Sequence, residues 1–261
     1  MIKPMSTPLL RIASYNLQKC VGLDLRRRPD RTLDVIAGLG ADLVVLQEAD
    51  KRLPPRPAAL PHAMIEEAGW KIVPFGTGAN CTGVNGTAVN DTGTHGTGTH
   101  NAGASLGWHG NAMLIRPHLI LRDTSRLILP GLEPRGAIRL DLDSAIGPLR
   151  VIGVHLGLMR KYRVQQIAAI VQNLGTLPPM PTVLAGDFNE WGSGVAMDKV
   201  AEGLRFLEGT ASFPAARPVA RLDRFALTDD LEALHQGTYL AKPARVASDH
   251  LPVWADIRRK T

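Results

Sequence analysis

Two cysteines in 261 residues, Cys20 and Cys81, are too few for a disulfide scaffold. One bridge is conceivable, and a reduced cytoplasmic chain is the plainer expectation. Aromatic side chains make up only 5% of the chain. A protein that stacks successive bases of a single strand usually carries more, so sequence-blind binding of that kind is disfavoured without being excluded. No apolar run approaches the roughly 20 residues that a membrane-spanning helix needs. The opening stretch, Met1 to Pro8, lacks the apolar centre of a secretory signal and leads straight into a strand pattern. Acidic groups are outnumbered, giving a net charge of +6. That excess suits an anionic substrate such as nucleic acid or a phospholipid headgroup, and it equally suits a merely basic soluble protein.

What remains is an ordinary globular balance, with 44% hydrophobic and 21% charged residues. The length fits one large domain or two small ones. No linker divides the chain, so residues 1–261 are read as a single unit, and no obligate protein partner is inferred. Leu9 to Asn16 alternates as a strand with a polar end, and Leu43–Leu46 forms a buried strand running into Gln47-Glu48. Helical periodicity covers 30–39 and 160–174. Further strands are expected at 111–116, 136–142, 149–154, 182–186, 223–228 and 251–257. Many strands with few helices between them imply two packed sheets flanked by helices.

One segment departs from this pattern. Residues 76–107 are dominated by Gly, Thr and Asn, and cannot bury enough apolar area to offset their ordering entropy. They are read as a surface insertion loop over the mouth of a site. His95 and His100 lie within it. The run around them resembles the histidine motif of subtilisin-like proteases, but no Gly-Thr-Ser nucleophile motif follows, and biased composition explains it.

The most specific signal is a pair of motifs, Gly186-Asp187-Phe188-Asn189 and Ser248-Asp249-His250, each beside an apolar run. Asn16, Glu48, Asn111, His155 and Asp223 also fall near strand ends. Each has a bland explanation alone, as a turn former, a helix cap or a core histidine. Together they supply carboxylates, amides and an Asp–His couple at strand ends. A divalent-metal-assisted attack of water on a phosphate ester requires that set: hard oxygen ligands for the cation, a base for the water and donors for the phosphoryl oxygens.

In this order the residues Ser14-Tyr15-Asn16-Leu17-Gln18, Leu46-Gln47-Glu48, Gly110-Asn111-Ala112, His155-Leu156, Gly186-Asp187-Phe188-Asn189, Arg221-Leu222-Asp223-Arg224 and Ser248-Asp249-His250 resemble the endonuclease/exonuclease/phosphatase superfamily. The resemblance runs from residue 14 to residue 250. It is nearest in look to small bacterial members of unassigned substrate. It implies an α/β fold, a four-layer αββα sandwich of two mixed sheets flanked by helices, as in DNase I-like enzymes. It further implies Mg2+ or Mn2+ held by Glu48, with Asn16 and Asp249 beside it. His250 would be the general base, Asp223 would hold its imidazole, and Asp187 would orient the nucleophile or the leaving group. Asn189 and His155 would donate to the phosphoryl oxygens, with Asn111 on the substrate. The reaction implied is in-line hydrolysis of a phosphoester without a covalent intermediate.

Arg26, Arg27 and Arg28 follow the first metal-site strand and fit either a phosphate clamp or a solvated loop. No recognition helix and no aromatic platform is legible. The expected activity is that of a phosphodiesterase on nucleic acid. The alternative is a phosphodiesterase or phosphatase acting on phospholipid headgroups or another small phosphoester. A non-catalytic binding module ranks behind both, because no ligand or base is missing.

Overall fold

The computed structural model describes residues 8–51, 56–75, 80–82, 104–192 and 194–260, the segment 80–82 through its backbone alone. Its strands are β1 (Leu10–Asn16), β2 (Leu43–Gln47), β3 (Lys71–Ile72), β4 (Asn80–Thr82), β5 (Ala112–Ile115), β6 (Ile120–Ile128), β7 (Gly136–Ser144), β8 (Gly147–His155), β9 (Thr182–Asp187), β10 (Arg205–Phe206), β11 (Asp223–Leu227), β12 (Leu231–Thr238) and β13 (Val253–Arg259). The helices are α1 (Pro29–Gly38), α2 (His62–Glu67), α3 (Arg160–Gly175), α4 (Val195–Asp198) and α5 (Ala244–Ala247). Pro29 opens α1 where a missing N–H costs nothing, and Asp30 follows at the positive end of the helix dipole.

Among the described residues, one sheet has six strands in the order β12-β13-β1-β2-β5-β3, and the other has seven in the order β10-β11-β9-β8-β7-β6-β4. Both are mixed: β1 runs parallel to β2 but antiparallel to β13, and β8 runs parallel to β9 but antiparallel to β7. Strand alternation sends side chains to opposite faces, and the burial follows it. Leu10 and Ile12 of β1, Leu43 and Val45 of β2, Val151 of β8 and Val183 of β9 pack into the seam between the sheets. Ala13, Tyr15, Val44 and Leu46 face outward under α1 with Val35 and Ile36. Ile152, Val154 and Leu184 cover the other sheet's outer face with Ile167 and Ile170 of α3. The result is a four-layer αββα sandwich.

Gly153 of β8 leaves room for side chains of the facing sheet. A Cβ there would lie 2.7 Å from Val45 Cγ1 and 3.0 Å from Met113 Cε.

The sequence pattern did not anticipate β6 and β12. β6 exposes its first half, and β12 is an edge strand with few buried positions, so neither reads as an apolar run. Most of the segment 76–107 lies outside the described residues, as do His95 and His100. Its described parts differ from a plain surface loop. Residues 80–82 pair with β6, and the end of the segment is pinned where Asp50 accepts hydrogen bonds from Leu106 N at 2.7 Å and Ser105 Oγ at 2.6 Å. Leu106 is buried there. Cys20 is a free, buried thiol. Among the described residues, no helix is long and apolar enough to cross a membrane.

Candidate active site

The seam is apolar along its length and turns polar at one end. Reading the inward positions along each strand gives Leu10, Ile12, Ser14, Asn16 on β1 and Val183, Ala185, Asp187 on β9. On β8 the series is Leu149, Val151, Gly153, His155, and β11 starts with Asp223 before Phe225 and Leu227. Because β1, β8 and β9 end where the antiparallel β11 begins, period-2 alternation delivers all four polar residues to the same place. The register is direct: Asp187 lies opposite Asp223 on one side and His155 on the other.

There they form one buried cluster. His250 Nδ1 lies 2.8 Å from Asp223 Oδ2. The same oxygen accepts a hydrogen bond from Ser212 Oγ at 2.6 Å. Asp187 Oδ2 is 3.7 Å from His250 Nε2 and 3.5 Å from His155 Nε2. It also accepts from Asn16 Nδ2 at 3.1 Å, while Asp187 Oδ1 accepts from the Asn189 N–H at 2.9 Å. Asn189 spends one amide hydrogen on the Leu156 carbonyl at 2.9 Å, so it ties the loop after β8 to the loop after β9.

A second, more open group of oxygens lies beside the cluster. Glu48 and Asp249 are half-buried, and Glu48's negative charge is felt at Asp249. Glu48 is ion-paired with Lys19. Lys19 belongs to a tight turn in which Gln18, Lys19 and Cys20 all have left-handed φ values of 45°, 58° and 59°. For residues with a Cβ that costs on the order of 1–2 kcal/mol each. The turn is over-determined by its bonds. Leu17 N donates to Gln47 O at 2.9 Å, Asn16 Oδ1 accepts from Gln18 N at 3.1 Å, and Gln18 Oε1 accepts from Asp249 N at 3.0 Å. Ser248 Oγ closes the arrangement by donating to the Asn16 carbonyl at 2.7 Å.

Asn111 reaches across the seam. Its Nδ2 donates to Gly136 O at 2.9 Å, and its Oδ1 is buried without a partner. Arg26, Arg27 and Arg28 are all exposed, and their bonds do not lead into the cluster. Arg28 is paired with Asp30, and Arg27 donates to the Lys19 carbonyl at 2.6 Å, bracing the strained turn.

Several residues near the cluster had no role in the sequence reading. Ser212 holds Asp223, Gln18 holds the Asp249 backbone, Lys19 meets Glu48, and Phe213 lies against the His250 ring with centroids 4.8 Å apart. Spacing gives no hint of Ser212 or Phe213, because they lie on the loop between β10 and β11, where no strand period tells which way a side chain points.

The electrostatics follow from burial and from this pairing. Burial, then the neighbouring Asp223 charge, pushes the Asp187 carboxyl up to about 7, against the charge of His250 and the hydrogen bonds from Asn189 and Asn16. Burial disfavours a charged His250, but the charge and hydrogen bond of Asp223 outweigh it, helped by Asp187 and Asp249, and push His250 up to about 10. His155 goes the other way. Burial, with the positive charges of Arg135, His250 and Lys19, holds it well below its ordinary value, so it stays neutral. The set therefore retains a proton between Asp187 and His250 while offering a neutral imidazole beside it.

Two donor sets fit a cation. Asp187, Asp223 and His250 place potential ligand atoms within 4.8 Å of one another, and Asp223 Oδ1 is buried with no hydrogen-bond partner. His250 Nδ1 and Asp223 Oδ2 are already engaged with each other, which suits proton handling better. Glu48 and Asp249 are the hard, half-exposed carboxylates that a small divalent cation prefers, and the buried Asn16 amide oxygen, which already accepts from Gln18 N, lies next to them in the chain's turn.

A profile of the Endonuclease/Exonuclease/phosphatase family matches residues 13–250, a span that includes every residue of both groups. The chain belongs to this family. Members of the family are phosphoester hydrolases, and the buried Asp/His cluster is consistent with that chemistry. The protein described as "Uncharacterized protein YbhP" from Escherichia coli (strain K12) is 33% identical over 164 residues, covering 58% of this chain and 63% of that protein. The chain thus aligns with less than two thirds of that relative's length.

Solved structures of the family share the fold at lower identity. An endonuclease/exonuclease/phosphatase from Beutenbergia cavernae DSM 12333 has a TM-score of 0.66 at 20% identity, covering 96% of this chain and 72% of that one. D. rerio TDP2 complexed with single strand DNA product has a TM-score of 0.67 at 15% identity, covering 96% and 99%. The human Nocturnin catalytic domain with bound sulfate anion has 0.66 at 18% identity, covering 97% and 96%.

Proposed function

We propose that this chain is a divalent-metal-dependent phosphodiesterase that hydrolyses nucleic acid by in-line attack of water. The observation that carries this reading is the buried Asp223–His250 pair facing Asp187, set beside the open oxygens of Glu48 and Asp249. Mg2+ or Mn2+ held by Glu48, Asp249 and the Asn16 amide oxygen would polarise the ester and offset charge on the departing oxygen.

The chain's own residues do the rest. Asp223, fixed by Ser212, presents His250 with its Nε2 toward Asp187; the charge of a bound cation would favour release of the proton that His250 holds in the metal-free protein, and the neutral imidazole then takes the proton of the attacking water. Asp187, held on both oxygens by Asn16 and Asn189, orients that water. Neutral His155 donates to a phosphoryl oxygen from the far side of Asp187. Asn111, with a free amide oxygen at the seam, positions the substrate.

Nucleic acid as substrate is supported by the net charge of +6 and by the likeness in fold to TDP2 in complex with a single-strand DNA product. A second reading, a phospholipid or other small phosphoester, draws support from Leu158 and Met159, which lie exposed on the loop after His155.

The deciding experiment is hydrolysis of bis-p-nitrophenyl phosphate with Mg2+ or Mn2+ against a chelator, using His250→Ala as control. Metal-dependent turnover lost in the variant is expected. Turnover that persists in chelator or in the variant overturns the mechanism. A salt titration of DNA binding then separates the two substrates, since contacts to several phosphates give a steep slope.

A further inference from the structure

The acid–base cluster is buried, yet a large aromatic side chain stands in solvent beside it. Trp191 is 65% exposed, whereas Trp70 and Trp108 are buried. Trp191 meets Phe213 edge-on, with ring centroids 5.6 Å apart and planes at 84°, and Phe213 in turn lies against the ring of His250. Three rings thus step outward from the proposed base to the surface. The sequence suggested no aromatic platform because these residues are scattered along the chain; the fold assembles one.

Its presentation is built. Arg224 donates to the carbonyls on both sides of Trp191, Glu190 O and Gly192 O, each at 3.1 Å. The buried Glu190 carboxylate accepts from Gly192 N at 2.8 Å and pairs with Arg163 at 3.0 Å. The backbone is clamped while the indole is left free. Cations flank it. Exposed Arg221 adjoins Arg224, and Arg160 lies near enough to Glu190 to join Gly192 N–H and Arg163 in offsetting its burial.

We propose that Trp191 is a specificity-determining residue whose indole stacks on a nucleobase next to the scissile phosphodiester, with Arg160 and Arg221 near the flanking phosphates. This rests on the nucleic-acid reading above and narrows it to single-stranded or frayed ends, whose bases have a free face. A flat aromatic face with cations at its edge fits a base and its phosphates. Every base has such a face, so the contact tolerates any sequence.

The test uses the full chain with Trp191→Ala and Trp191→Phe. The quantity read is the ratio of kcat/KM for oligothymidylate over that for a ring-free glycerophosphodiester. Trp191→Ala is expected to lower this ratio roughly 5- to 150-fold, the range for loss of one stacked base, largely through KM. Trp191→Phe should restore most of it. An unchanged ratio overturns the proposal.

A binding arm separates this inference from the catalytic one. In chelator, oligothymidylate should quench tryptophan emission in the wild type and fail to do so in Trp191→Ala, whether or not any diester is turned over. Quenching by phospholipid vesicles with none by oligothymidylate overturns the nucleobase assignment in favour of a lipid.

Discussion

Lys19 rests its ammonium on the Glu48 carboxylate from a turn whose three successive residues are left-handed. Both side chains are about 30% exposed, at 30% and 28%. The pair therefore competes with any cation for Glu48. Partly exposed pairs of this kind are worth about 0.2–1 kcal/mol. Lys19→Met should accordingly tighten Mn2+ binding roughly 1.5- to 5-fold, by the same measure. Calorimetric or spin-resonance titration of Mn2+ reads this directly. Unchanged or weaker binding would show that Glu48 is not the ligand that Lys19 shields.

The His250–Asp223 hydrogen bond gives a kinetic expectation. His250→Ala should lower kcat by about 10²–10⁴-fold, the usual contribution of a positioned acid–base group. Asp223→Asn should fall in the same range, because the amide no longer fixes the imidazole tautomer. Circular dichroism should show both variants folded. Near wild-type rates in His250→Ala would remove it as the base.

The metal-free protein should lose stability as pH rises. Asp187 has a folded pKa of about 7, above the ordinary carboxylate value, so the folded state binds its proton more tightly than the unfolded chain does. That contribution is complete in acid and is lost as pH climbs to about 7. His250 is likewise raised to about 10, so its contribution is full below about 6.5 and disappears as pH passes through about 10. Urea midpoints in chelator should therefore fall from pH 6 to pH 9. A flat or rising profile would contradict the proton-holding cluster.

Gly186 precedes Asp187 with φ at +154°, and a Cβ there would lie 2.0 Å from the Val154 carbonyl oxygen. Backbone cannot yield as a flexible side-chain tip can. Gly186→Ala should destabilise the fold by at least the 1–3 kcal/mol typical of overpacking and displace Asp187. Gly153→Ala, which meets side-chain methyl groups instead, should cost less. Urea unfolding of the two variants gives the comparison, and equal costs would show that β8 and β9 can separate freely.

Much of the architecture was legible because the strands that build it are locally self-announcing. Leu43–Leu46 and Val183–Ala185 are buried on both faces and read as apolar runs, and the polar residue ending each inward series marks where the seam opens. Asn16, His155, Asp187 and Asp223 share a location because period-2 alternation and sheet register bring them there; the strand ends could be read from sequence, whereas the register could not. What could not be read depends on chain paths between elements. Ser212, Phe213 and Trp191 reach the site on loops, where no period constrains direction. The arginine run 26–28 fitted either a phosphate clamp or a solvated loop, and its members meet Asp30, the Lys19 carbonyl and solvent.

The placement of β13 has a consequence for how the molecule is made. It lies between β12 and β1, and the Arg11–Asp256 pair across that junction joins residues 245 apart. At a ribosomal rate of about 5–20 residues per second, β1 waits roughly 12–50 s for its neighbour. Throughout that interval one flank of a strand at the centre of the sheet is unpaired and prone to wrong partners. Asp249 and His250 emerge just before the same strand, so the nascent chain has no complete acid–base cluster until its last sheet partner is in place.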